Sequence, residues 1–154
     1  MEQITVRTER LTIFPQSAEE MSGLCRRETD PEMKRAYAEM LETMRRSPGR
    51  EEWGTAWKIC LKDGAVVGSC CFKGVPDPEG VVEIGYGIDE PHRCNGYATE
   101  AVAGLVKWAL ARDGVRCVAA QTELGNRISR KVLLKVGFVR DGYGDEGPLY
   151  KLFR

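Results

Sequence analysis

Residues 81–111, VVEIGYGIDEPHRCNGYATEAVAGLVKWALA, set an apolar strand-like run, a polar loop and an alanine-rich helical run end to end. A buried strand that feeds an amphipathic helix hides its apolar surface only when helices pack on a sheet, so the chain reads as an α/β protein with a mixed sheet. The strand VVEIGYGI holds two interior glycines, Gly85 and Gly87. Interior glycine weakens a strand and marks a bulge or a place where a ligand approaches the backbone. The helix is expected from about Gly96 to Arg112, with Ala98, Ala101, Val102, Leu105, Val106, Ala109 and Leu110 on its apolar face and Gly114 past its end.

The flanking segments fit the same class. ITVRTERLTIF alternates apolar and polar residues and reads as one strand, ended by Pro15. Ser17 is placed to cap a short helix over AEEMSGLC, and Asp30-Pro31 opens a second helix. Met33, Ala36, Tyr37, Met40, Leu41 and Met44 form a one-sided stripe on the second helix, read as core packing, the alternative being that part of it also lines a substrate groove. SPGREE at 47–52 stops that helix. TAWKICL and AVVGSCCF flank Lys62-Asp63-Gly64, a hairpin signal, and GVPDPEG is a loop. VRCVAAQT is a further strand, and Asn126 caps a helix carrying Ile128, Val132, Leu133 and Val136, stopped by Gly137. Residues 138–139 and 149–153 are expected as short closing strands around the loop DGYGDEGP.

With 154 residues the chain is expected to form a single domain, 1–154. Lys and Arg total 23 against 23 Asp and Glu, so no global field favours a nucleic-acid backbone or an anionic membrane. No apolar run approaches the roughly 20 residues of a membrane span, and the start lacks a signal-peptide core, so a cytoplasmic protein is expected. Six cysteines without a C-x-x-C pair, and a single histidine, argue for reduced, mostly buried thiols and against a metal site.

The loop RCNGYA, Arg93 to Ala98, lies where the apolar strand meets the helix start. A helix start offers unpaired N–H groups and the positive end of a dipole. Gly96 and the small Ala98 let a diphosphate approach that backbone, and Arg93 offers a charge-assisted contact. This loop carries neither a G-K-[ST] nor a G-x-G-x-x-G pattern, so it is neither a Walker loop nor a dinucleotide fingerprint.

EIGYGIDEPHRCNGYATEAV resembles the central signature of the GNAT N-acetyltransferase superfamily, Q/R-x-x-G-x-G/A, met by Arg93, Gly96 and Ala98. TERL near the start, E-x-G-Y before the loop, G-Y-A-T-E-A after it, and N-x-x-S followed by Gly-Phe are similar to the RimJ/RimL-like branch. The resemblance implies a central, mostly antiparallel sheet with two splayed strands flanked by helices. It further implies acetyl-CoA, or another acyl-CoA, as donor and a primary amine as acceptor. The pyrophosphate would lie on the backbone of Arg93, Cys94, Asn95, Gly96, Tyr97 and Ala98, with Thr99 adjacent. The pantetheine arm would follow the open edge of Glu83–Ile88, with the N–H near Ile88 polarising the thioester carbonyl and Asn126 touching the arm.

Glu83, in an apolar strand beside the thioester, is a candidate base or amine anchor whose burial would raise its pKa. The alternative is an edge carboxylate paired with a nearby Arg or Lys. Many family members carry a Tyr acid where this chain has Leu133. Ser129 is the substitute the branch offers, and otherwise a first-turn serine bonding backbone; Tyr143 is a further substitute. Arg127, Arg130 and Lys131 either hold the 3′-phosphate or form a solvated face, and His92 reads as an exposed loop residue. The acceptor would be walled by residues 17–50 and 141–149, whose Glu39, Glu42, Asp141, Asp145 and Glu146 suit a cationic amine. Cys94 lies too far from the thioester to be a nucleophile. Direct attack in a ternary complex is expected, with a possible homodimer. The alternatives are a longer acyl donor or a non-catalytic acyl-CoA-binding module.

Overall fold

A computed structural model describes residues 3–154. In chain order the elements are β1 (Val6–Arg7), β2 (Leu11–Pro15), α1 (Ala18–Arg27), α2 (Pro31–Arg46), β3 (Ala56–Leu61), β4 (Val66–Phe72), β5 (Val81–Ile88), α3 (Tyr97–Leu110), β6 (Cys117–Gln121), α4 (Arg127–Val136), β7 (Val139–Tyr143) and β8 (Pro148–Phe153). The strands form one sheet in the order β1-β2-β3-β4-β5-β6-β8-β7. Every pairing is antiparallel except β5 with β6, the pair that α3 connects.

Strand alternation sends side chains to two faces. Trp57, Cys70 and Tyr86 are register partners on one face, with Phe72 and Ile84 beside them. On that face Trp108 of α3 meets Trp57 edge to face at 5.1 Å and Trp53 in a tilted contact at 5.2 Å, and Phe72 closes the cluster. Ala56 points the other way and packs with Met21 of α1 and Met44 of α2. The methionine stripe is therefore core at Met44, half-buried at Met40 and exposed at Met33.

Three helices carry side-chain caps: Ser17 in a capping box on α1, Asp30 on α2 and Asn126 on α4. α3 has Gly96 at its cap position and no side-chain cap.

Three readings of the sequence need correction. ITVRTERLTIF is two strands, because Thr8 accepts from Leu11 N through its hydroxyl (3.1 Å) and donates its own N–H to Leu11 O (3.0 Å), turning the chain back. Pro15, paired opposite Trp57, is the last residue of β2 and ends the strand as expected. Asp141, Gly142 and Tyr143 are strand rather than loop; β7 is exposed at every position, so no alternation marks it. His92 is half-buried, in a short 3₁₀ turn over Glu90–His92.

Candidate active site

β5 and β6 pair only from Val81–Ile84 to Cys117–Ala120. Beyond Ile84 the strands part, while β5 stays paired with β4 as far as Ile88. Lys73 N donates to Glu83 O (2.9 Å) and Asp89 N to Val67 O (2.8 Å). Odd-numbered residues of β5 thus turn their backbone toward β4, and Tyr86 and Ile88 turn theirs toward the edge that β6 has left. A Cβ at Gly87 would meet nothing within 4 Å, and one at Gly85 only Cys71 Sγ (3.5 Å) and Lys73 Cε (3.8 Å). The sheet opens where both glycines stand.

The loop after β5 is held in shape by its own polar groups. Arg93 Nε donates to Ile88 O at 2.9 Å, and Asn95 Nδ2 to His92 O at 3.0 Å. Cys94 (φ 66°) and Gly96 (φ 79°) adopt left-handed conformations, which turn successive N–H groups of a chain toward one side. With no side chain capping α3, its first-turn N–H groups at Tyr97, Ala98 and Thr99 face outward, as an anion requires.

Arg10, which the sequence reading did not single out, braces this loop. Its Nη1 donates to Asn95 O (2.8 Å), its Nε to Glu100 Oε1 (2.7 Å), and its guanidinium lies 4.7 Å over the Tyr97 ring. Burial disfavours the Glu100 carboxylate, but hydrogen bonds from Thr8 and from the backbone and side chain of Arg10 outweigh it and hold the group below its ordinary range. TERL was the signal, yet nothing local in it indicates a partner in the loop.

On one face of β5, Glu83 Oε2 lies 2.7 Å from Lys73 Nζ, and Oε1 accepts from Gln121 Nε2 at 3.1 Å. The same ammonium is 2.8 Å from Glu146 Oε2, and Glu146 N donates to Gln121 Oε1 at 2.7 Å. Burial alone would lower the Lys73 pKa; its bonds to Glu146 and Glu83 prevail and raise it. The apolar surroundings expected for Glu83 are thus a polar network, with the carboxylate ion-paired. Lys73 and Gln121 were missed because the strand pattern of β5 says nothing of its neighbours.

On the opposite face, Tyr86 reaches α4, its hydroxyl 2.7 Å from Ser129 Oγ. Burial raises the Tyr86 pKa, against a smaller lowering by the Ser129 bond. Asn126 Oδ1 accepts from Ser129 N at 3.0 Å, so its oxygen serves as the helix cap. Leu133 is fully buried in the core. Tyr143 is 70% exposed and stacks 4.5 Å from the Arg140 guanidinium. Arg127, Arg130 and Lys131 are exposed. Of the acids expected near the acceptor, Glu42 pairs with Arg45 and Arg46, and Asp141 with Lys151; Glu146 alone joins the Glu83 network. Recesses of about 680 Å³ between α4, β7 and β8 and about 360 Å³ beside α1 contain none of Glu83, Tyr86 or Ser129. Among the described residues no cluster of three or more His, Cys, Asp or Glu is placed to hold a metal, and no helix is long and apolar enough to cross a membrane.

A parallel strand pair that splays beside an uncapped helix start sets a free strand edge next to a helix terminus suited to an anion. The chain belongs to the GNAT acetyltransferase family: residues 10–139 match its domain model, described as an acetyltransferase (GNAT) domain. Among similar proteins, the uncharacterized N-acetyltransferase YjdG of Bacillus subtilis is 41% identical over 85 residues, 54% of this chain and 51% of that protein. The uncharacterized N-acetyltransferase p20 of Bacillus licheniformis is 28% identical over 90% of this chain and 84% of its own. The chain thus spans about half the length of the first relative and most of the second. Mycobacterium smegmatis RimJ, solved in complex with CoA-disulfide, superposes with a TM-score of 0.75 at 19% identity, over 98% of this chain and 88% of that one, a likeness of fold.

Proposed function

We propose that this chain transfers an acetyl group from acetyl-CoA to a primary amine, a peptide or protein N-terminus or a small-molecule amine, by direct attack in a ternary complex. The observation that carries this reading is the coincidence of a free β5 edge at Tyr86 and Ile88 with the uncapped start of α3. The two lie at the ends of one loop, as a donor with an amide-bearing arm and a diphosphate requires. The neighbour RimJ, solved with CoA-disulfide, supports the same donor class.

The backbone from Arg93 to Ala98, with Thr99, holds the diphosphate, and the Ile88 N–H meets the thioester oxygen. Acetyl-CoA supplies an activated acyl group with a thiolate leaving group. Glu83 anchors the acceptor ammonium or takes its proton through water, on the face that α1 and α2 wall. Ser129 and Tyr143 are the hydroxyl donors proposed for the leaving sulfur, and Asn126 a contact to the arm. Burial keeps the Cys71 thiol above its ordinary range, so the thiol beside Gly85 stays protonated and is no activated nucleophile, in keeping with direct attack.

A thiol-release assay with acetyl-CoA against peptides, polyamines, aminoglycosides and amino acids tests the reading. Turnover on one class, reduced in Glu83→Gln, is the expected result. A longer acyl donor would appear as acetyl-CoA being inferior across a donor panel. The buried Leu133 and the Lys73–Glu83 pair favour one other reading, a non-catalytic CoA-binding module, in which CoA binds, no amine is acetylated and Glu83→Gln changes nothing.

A further inference from the structure

The phenol missing at Leu133 has a counterpart on a different element. Tyr86 stands between Gly85 and Gly87, in the half of β5 that β6 no longer covers, and its hydroxyl meets Ser129 in the first turn of α4. We infer that the Tyr86–Ser129 pair is the hydrogen-bond donor to the sulfur that leaves the thioester. This inference rests on the acyl-CoA reading given above and extends it to a residue that no sequence motif assigned.

Four observations support the assignment. Strand alternation puts Glu83 on one face of β5 and Tyr86 on the other, so the nucleophile arrives from one side and the leaving group departs on the opposite side. The pair holds two O–H groups and uses one between them; with Tyr86 donating, the Ser129 O–H is left over for an outside acceptor, and with Ser129 donating, the phenol O–H has only a long 3.4 Å contact to Ser129 O. Ser129 also sits at the positive end of the α4 dipole, which favours a sulfur anion there. The raised Tyr86 pKa keeps the phenol protonated across the neutral range, as a donor must be.

The step balances without an outside acid. The carbonyl carbon gains a bond to the amine nitrogen and loses its bond to sulfur, whose electron pair stays on sulfur. The spare O–H gives its proton to that sulfur; the proton released by the nitrogen passes through Glu83 and water to solvent, and solvent returns one to the hydroxyl pair. Tyr86 and Ser129 end as they began.

Product binding tests this without knowledge of the acceptor. The thiol of CoA bound to the protein is titrated by ultraviolet thiolate absorbance, with the matched desulfo-CoA complex subtracted, in wild type, Tyr86→Phe and Ser129→Ala. The bound thiol is expected to ionise below free CoA, and each variant to move it up by about one pH unit, a tenfold change in ionisation. CoA affinity should stay within about twofold, and with a working acceptor kcat should fall while the KM for acetyl-CoA holds. A bound thiol that titrates identically in wild type and both variants overturns the inference and leaves the acyl-CoA reading intact. Failure of the wild type to bind CoA overturns both. Ser129→Ala, at a half-buried helix position, reports even where Tyr86→Phe disturbs folding.

Discussion

Gly96→Ala probes whether the loop geometry serves the donor. At φ 79° an alanine sits in the left-handed region, at a cost of roughly 1–2 kcal/mol. Reduced freedom of the unfolded chain returns about 0.4–1 kcal/mol of that. The new Cβ also lies 3.3 Å from Arg10 Nη2, a contact the exposed guanidinium relieves by shifting, though it then loosens its hold on Asn95 O. The net is about 1 kcal/mol against the loop conformation seen here. Where that conformation is needed only to receive the diphosphate, the free loop relaxes and the cost appears in binding, as about fivefold weaker CoA affinity by calorimetry with a nearly unchanged denaturation midpoint. Cys94→Gly, at φ 66°, is the control and should bind CoA at least as well. A Gly96→Ala protein that binds CoA like wild type would refute the role given to this loop.

Leu133→Ala removes a fully buried side chain from the core and should lower stability by about 2–5 kcal/mol in urea unfolding. Glu100 gives a pH signature. Its pKa is held below the ordinary 4.5, so the stability it lends is complete above that value and is lost as pH falls through the depressed folded value. CoA affinity should weaken over that acid window in wild type, and a Glu100→Gln protein should lack this limb; an identical limb in both would rule out the Arg10–Glu100 brace. Cys94→Ala should leave turnover largely intact, since its thiol is exposed in the loop proposed to hold the diphosphate. Loss of turnover at unchanged CoA affinity would point to an acyl-enzyme instead.

Most helices and strands were legible because their signals are local. Ser17, Asp30 and Asn126 cap where they are expected, Asp63-Gly64 turns the β3–β4 hairpin, and the loop from Arg93 to Ala98 links β5 to α3. The first strand and β7 were misread for local reasons too. A hydroxyl-locked turn interrupts an alternation that otherwise looks continuous, and an exposed edge strand shows no alternation at all.

The sequence by itself determined most of the elements, the place of the loop before α3 and the family to which the chain belongs. Only the tertiary structure decided what faces what. Arg10 reaches Asn95 across 85 positions, Tyr86 meets Ser129 across 43, and Gln121 and Lys73 converge on Glu83 from two neighbouring strands. Strand register and helix docking choose those partners, and a shift of one residue would send Tyr86 to the face that Glu83 occupies.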